Sequence, residues 1–206
     1  MNKGHVRHEN QPHTHLNLLG EPPGTKGPRC LTGTLRPIHQ GCHNSAAAFV
    51  RTKLNPVAGS APDDWTIRAH RAEVILPRHA DDSLADPRTL FNAIDTEHPD
   101  RGAALLAYIT LTWQPERLHL QWAVGRQLAI ELADAHDVAL LLVQHVPGQA
   151  GRGNDPHLHL AIAGPRRIKR WSGFGSYVTP LMGDRMWAMI RSKFHALLAP
   201  ADKPGS

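Results

Sequence analysis

The chain has 206 residues, 41% hydrophobic and 20% charged, which suits one globular domain or one domain plus a tail. No apolar run approaches the ~18 residues that a membrane helix needs, and the N-terminal stretch MNKGHVRHENQPHTHLNLLG lacks the apolar segment of a secretory leader. Two cysteines, Cys30 and Cys42, exclude a disulfide framework and a Cys-based zinc finger, so a reducing cytoplasm is the expected compartment and no membrane partner is expected. The net charge of +5 is unevenly spread: residues 63–100 carry nine acidic and four basic groups, residues 144–206 nine basic and three acidic. A basic C-terminal third suits a polyanion, or is simply a solvated surface. Fifteen histidines are the compositional outlier, and only position can select the informative ones.

Residues 1–35 show scattered Pro, Gly and His without a period, and EPPGTKGP breaks any regular element. They read as a flexible His/Pro-rich tail, whose His5, His8, His13 and His15 hold metal loosely at most. The domain then spans 36–198, with 199–206 a disordered end. Asn44-Ser45 before Ala46, Ala47, Ala48 and Phe49 predict an N-capped helix that Asn55-Pro56 ends. RAEVILP, residues 71–77, reads as a strand, and Asp86-Pro87 opens a helix to about Thr96. Residues 102–107, rich in Ala and Leu, read as helical, and Ile109–Trp113 as a strand.

Gln114-Pro115-Glu116 opens the longest helix, in which Leu120, Val124, Leu128 and Leu132 recur every fourth residue. VALLLV, residues 138–143, suits a strand buried on both faces, with His145 at its end. PGQAGRGNDP turns the chain, and HLHLAIA, residues 157–163, returns antiparallel. A last helix covers Asp184–Leu198.

His157 and His159 lie two apart on that strand, so both imidazoles share a face, while Leu158, Leu160 and Ile162 take the other. Ala161 and Ala163 continue the histidine face with small side chains. If the two strands pair, His145 comes opposite the pair, and three neutral imidazoles converge with positions left for water or a phosphate oxygen. The alternative is an edge-strand His-x-His pair with no ligand. Downstream, Arg166, Arg167, Lys169 and Arg170 offer phosphate contacts, with Trp171 and Phe174 as stacking surfaces, or else form a solvated basic turn.

The segment HDVALLLVQHVPGQAGRGNDPHLHLAIAGPR resembles the metal-binding segment of MobA/MobL-type plasmid mobilisation relaxases, members of the HUH endonuclease superfamily. There a strand ending in His is followed by a Gly-rich turn and Asn-Pro-His-x-His; here Asp155 separates Asn154 from Pro156. GCHNSAAAFVRTKL resembles the family's alanine-rich helix, HRAEVILPRHADDSLADPRTLFNAID its next strand and helix, and LLAYITLTWQPERLHLQWAVGRQLAIELADAHDV the strand and long helix before the His strand. FGSYVTPLMGDRMWAMIRSKFHALL resembles the closing helix, so the likeness covers roughly residues 38–198. It implies an α+β fold, a central antiparallel sheet flanked by helices. It also implies a divalent metal, Mg2+ or Mn2+, held by His145, His157 and His159. The implied activity is nicking of single-stranded DNA near a transfer origin, in plasmid mobilisation or conjugation alongside other mobilisation proteins.

The family's nucleophile is a tyrosine that follows the alanine run, as Ala-Ala-Tyr-Arg. Here the run reads Ala47-Ala48-Phe49-Val50-Arg51, so Phe49 holds the nucleophile's position without a hydroxyl. The remaining hydroxyl candidates are Tyr108, at a strand start, Tyr177, after a Gly-rich loop, and Ser45. Three readings follow: a relaxase-like protein that binds DNA and metal but lacks tyrosine transesterification, an active relaxase with another nucleophile, or a non-catalytic DNA-binding remnant.

Overall fold

The computed structural model describes residues 6–8, 16–22, 25–57, 61, 63–97, 104–150, 154–170 and 173–199. In chain order these form β1 (Val6–His8), β2 (Leu18–Gly20), β3 (Arg29–Leu35), β4 (Ile38–His39), β5 (Cys42–His43), α1 (Ala46–Leu54), β6 (Arg71–Ile75) and α2 (Pro87–Glu97). Then follow β7 (Leu106–Thr112), α3 (Leu118–His136), β8 (Leu140–His145), β9 (His157–Ala163), β10 (Arg166–Ile168), β11 (Phe174–Tyr177) and α4 (Asp184–Leu198). The fold is α+β, as expected. Seven strands form one antiparallel sheet in the order β1-β2-β3-β7-β9-β8-β6.

Period-two alternation gives each strand two buried sets. One face carries Tyr108, Leu141, Val143 and Ala161 and packs under Phe49, Val50, Leu90, Phe91 and Ile94 of α1 and α2. The opposite face carries Ile109, Leu111, Leu142, Leu158 and Leu160 and packs against α3 and α4 through Leu128, Leu132, Ile190 and Phe194. This two-sided cover explains the unbroken apolar run of β8. The approach of α3 is close: a Cβ on Gly125 would stand 2.2 Å from Leu158 Cδ1.

Two expectations need correction. The tail does not end near Leu35. β3 is an interior strand, paired along its whole length with β7 and on its other side with β2, and Leu16, Leu19, Cys30 and Leu35 are buried. The signal is weak because Gly33 interrupts the apolar pattern. That glycine is required, since a Cβ there would lie 2.3 Å from Leu16 Cδ1 and 2.6 Å from Asn17 O. The readings on His5, His13, His15 and residues 200–206 fall outside the described residues; His8 ends β1.

Residues 104–107, read as part of a helix, instead lead into β7, with Ala104, Leu105, Leu106 and Ala107 at most 2% exposed. Their high helix propensity yields to burial between two helical layers, where small and branched apolar residues fit a central strand.

α1 is placed by its N-terminus. Ser45 caps it by accepting from Ala48 N at 3.0 Å, and the Asp95 carboxylate of α2 accepts from Ser45 Oγ at 2.6 Å, Ala46 N at 2.7 Å and Ala47 N at 3.0 Å. A carboxylate at a helix N-terminus also meets the positive end of the helix dipole. Ser45 is thus a structural cap.

Removal of residues 1–35 is expected to abolish cooperative thermal unfolding, because it strips the partner strand from β7 and opens an apolar edge. A truncated chain that melts like the full one, followed by circular dichroism, would contradict the interior placement of β3. Asp95→Ala should cost about 2–3 kcal/mol through three unmatched donors at the cap, lowering Tm by roughly 4–10 °C.

Candidate metal centre

Strand register builds the site. His145 lies opposite His157 and Val143 opposite His159 across β8 and β9, so three imidazoles share the α1 side of the sheet. Their ring centroids lie 4.6 Å (His145–His159), 4.7 Å (His157–His159) and 5.3 Å (His145–His157) apart. Among the described residues, these three form a group able to hold one metal ion, each offering one ligand nitrogen within 4.8 Å of the others.

Each imidazole is also held from behind. His145 Nε2 donates to the backbone carbonyl of Lys53 at 2.6 Å, one of the last carbonyls of α1, which have no partner within the helix. His157 Nδ1 donates to Asp155 O at 2.8 Å. His159 Nδ1 meets Tyr108 Oη at 2.6 Å and Thr110 Oγ1 at 3.2 Å. The other ring nitrogens, Nδ1 of His145 and Nε2 of His157 and His159, are the atoms that could bind a shared ion. His159 Nε2 and His145 Nδ1 lie 3.2 Å apart. Two metal bonds of about 2.1 Å, set 90–110° apart, separate their nitrogens by about 3.0–3.4 Å. Outer hydrogen bonds of this kind fix tautomer and ring orientation in metal-binding histidines, so the donor set fits a metal ion.

Electrostatics favour the ligating form. Burial holds the His159 imidazole well below the ordinary histidine value, and the Lys53 ammonium and the other two imidazoles push it further down. Burial also lowers His157, with Lys53 and Arg29 acting in the same direction and the Asp155 carbonyl and carboxylate opposing. Both rings are therefore neutral at pH 7, as ligation requires.

Phe49 sits one ring away from the triad. Its ring meets Tyr108 edge-on at 4.9 Å, and Tyr108 stacks on His159 at 5.4 Å. Tyr108 is 3% exposed, and its hydroxyl is engaged by His159. Lys53 Nζ lies 5.0 Å from the Phe49 ring and 5.3 Å from that of Tyr108. Lys53 went unnoticed in the sequence. The available signal was its spacing, four residues and one helical turn after Phe49.

The basic cluster is not at the site. β10 follows β9 at its Ala163 end, about 20 Å from His157 by strand rise. Arg166 donates to the carbonyls of Glu97, Phe174 and Gly175, and Arg167 pairs with Asp137 at 2.9 Å. Lys169 and Arg170 are exposed at that same end. The reading of these four as phosphate contacts flanking the metal is corrected: the chain travels the full length of β9 before reaching them. Phe174 is buried in the core, Trp171 lies outside the described residues, and Tyr177 pairs with Arg166 on β11.

No protein-family model and no curated protein matches this sequence. The fold is similar to a solved structure described as the molecular basis of vancomycin resistance transfer in Staphylococcus aureus. The TM-score is 0.58 at 14% identity, over 75% of this chain and 82% of that one. The likeness is one of fold.

Mn2+ at about 100 times its Kd should stabilise the protein by about 2.7 kcal/mol, read as a rise in Tm that His157→Ala abolishes. Tyr108→Phe, which removes one bond behind His159, should weaken Mn2+ binding by roughly tenfold in calorimetry while leaving the fold intact. Without metal, the depressed His157 and His159 make the unfolded chain the better proton acceptor just below the ordinary value of 6.5. Stability should thus be fully present above pH 6.5 and decline as pH falls through it. A denaturant midpoint that rose on acidification to pH 5.5 would contradict this sign.

Proposed function

We propose that this chain is a relaxase-like protein of plasmid mobilisation, which binds a divalent metal and single-stranded DNA near a transfer origin but lacks tyrosine transesterification. The observation that carries this reading is the triad itself. Three imidazoles are clamped from behind by Lys53 O, Asp155 O and Tyr108 Oη, and their remaining nitrogens converge. The similarity of fold to a protein concerned with resistance transfer supports the same direction.

A divalent ion, Mg2+ or Mn2+, bound there would neutralise charge on a phosphodiester oxygen. The chain's own residues would do the rest of the binding. His145, His157 and His159 hold the ion's position, and Lys53 adds a cation at the same end of α1. Phe49 presents a ring that cannot attack phosphorus. The Tyr108 hydroxyl is buried and committed to His159, and Tyr177 stands at the far end of the sheet, which argues against either as a substitute nucleophile. The expected setting is the cytoplasm, in company with other mobilisation proteins.

The test uses single strands from the protein's own transfer region. The wild type should bind them with a Mn2+-dependent gain and form no covalent adduct on a denaturing gel. Phe49→Tyr adds one oxygen to a ring already in place and should restore some metal-dependent nicking, since loss of a covalent partner removes the reaction path itself. A wild-type adduct mapped to Tyr108 or Tyr177 would overturn the reading.

A further inference from the structure

A cleft adjoins the triad on its β7 side. Arg29 lies opposite Thr112, Thr112 opposite His157 and His157 opposite His145, one straight row across β3, β7, β9 and β8. Cross-strand neighbours share a face, so Arg29 and Thr112 stand on the same side of the sheet as the imidazoles. Two strand spacings set Arg29 about 10 Å from His157.

At the Arg29 end of this row is a cavity of about 550 Å³, lined by Lys26, Arg29, Thr112, Trp113, Gln114 and Asp155 among others. Its polar side chains include two cations, the Thr112 hydroxyl, the Thr25 hydroxyl, which donates to Pro22 O, and the Gln114 amide. Its one carboxylate, Asp155, accepts from Gln114 Nε2. Asp155 belongs to both places, since its carbonyl also holds His157. The Trp113 ring, which also lines the cleft, packs edge-on against Phe194 at 5.1 Å on the α4 side.

We infer that this cleft is a second phosphate site, one that takes a backbone phosphate of the same DNA single strand whose neighbouring phosphate rests at the triad. The inference rests on the relaxase-like reading above and adds the direction in which the strand leaves the metal centre: across the sheet toward β3, over Thr112, to Arg29 and Lys26. It makes the β3 region, and not the basic residues after β9, the electrostatic footprint for DNA. The contact is to the backbone and carries no base preference.

The test is a salt titration of a fluorescent oligothymidylate by anisotropy, with Mn2+ present. Lys26→Ala and Arg29→Ala should each weaken binding three- to tenfold and reduce the slope of log K against log salt by about 0.7, the value for one lost phosphate contact on a single strand. Arg29→Lys should keep the slope. All three should keep the Mn2+-induced rise in Tm, and Arg167→Ala, at the far end of the sheet, should change neither quantity. If Lys26→Ala and Arg29→Ala bind with wild-type affinity and slope while the wild type binds DNA in a His157-dependent way, the cleft is wrong and the relaxase-like reading stands. If the wild type binds no single strand with Mn2+ present, that reading fails and this site fails with it.

Discussion

The antiparallel register of β8 against β9 is the constraint on which the rest of the molecule depends. It sets His145 opposite His157 and Val143 opposite His159. A slip of one residue would exchange the two faces of β9. Leu158 and Leu160 would move to the open side, and His157 and His159 would enter the apolar layer under α3. Two features hold the register. Leu158, Leu160 and Ile162 are fully buried against α3 and α4. Gln121, itself buried, ties the start of α3 to the chain just before His157 by donating to Pro156 O at 3.0 Å, and it accepts from Gln144 of β8 at 2.9 Å. The same buried amides thus anchor both strands that carry the triad.

Three imidazoles in contact would be costly if they were charged; burial keeps His157 and His159 neutral, and outer hydrogen bonds aim all three rings. The carbonyl that orients His145 comes from the last turn of α1, so the helix end and the triad satisfy each other's open valences. α1 is in turn pinned through its N-terminus to Asp95 on α2. The path from Asp95 through α1 to Lys53 and His145 links a half-buried cap to the site. It also sets where Phe49 and Lys53 stand relative to Tyr108.

Charge in this protein is better understood by place than by count. The C-terminal third is rich in basic residues, yet Arg166 and Arg167 are spent on local carbonyls and on Asp137, closing the turn between β9, β10 and α3. Near the triad, positive charges come from Lys53 on α1, from Arg29 at the start of β3 and from Lys26 just before it.

Local pattern alone determined much of this. A His-x-His pair on a strand must put both rings on one face, and an alanine run behind Asn-Ser must start a capped helix; both follow from backbone geometry between near neighbours in the chain. The α4 and β9 boundaries, Asp184–Leu198 and His157–Ala163, and the pairing of His145 with His157 were legible for that reason. Tertiary structure decided what depends on distant segments meeting. Gly33 hides an interior strand, because the glycine answers to Leu16, which lies seventeen residues earlier in the chain. Leu106 and Ala107 are strand because two helical layers close over them, against their own propensity. The partners behind the histidines, Lys53 O and Tyr108 Oη, lie 92 and 51 residues away from the rings they hold, and no period in the chain connects them. Periodicity reports which face a residue takes; only the order of strands in the sheet determines what that face meets.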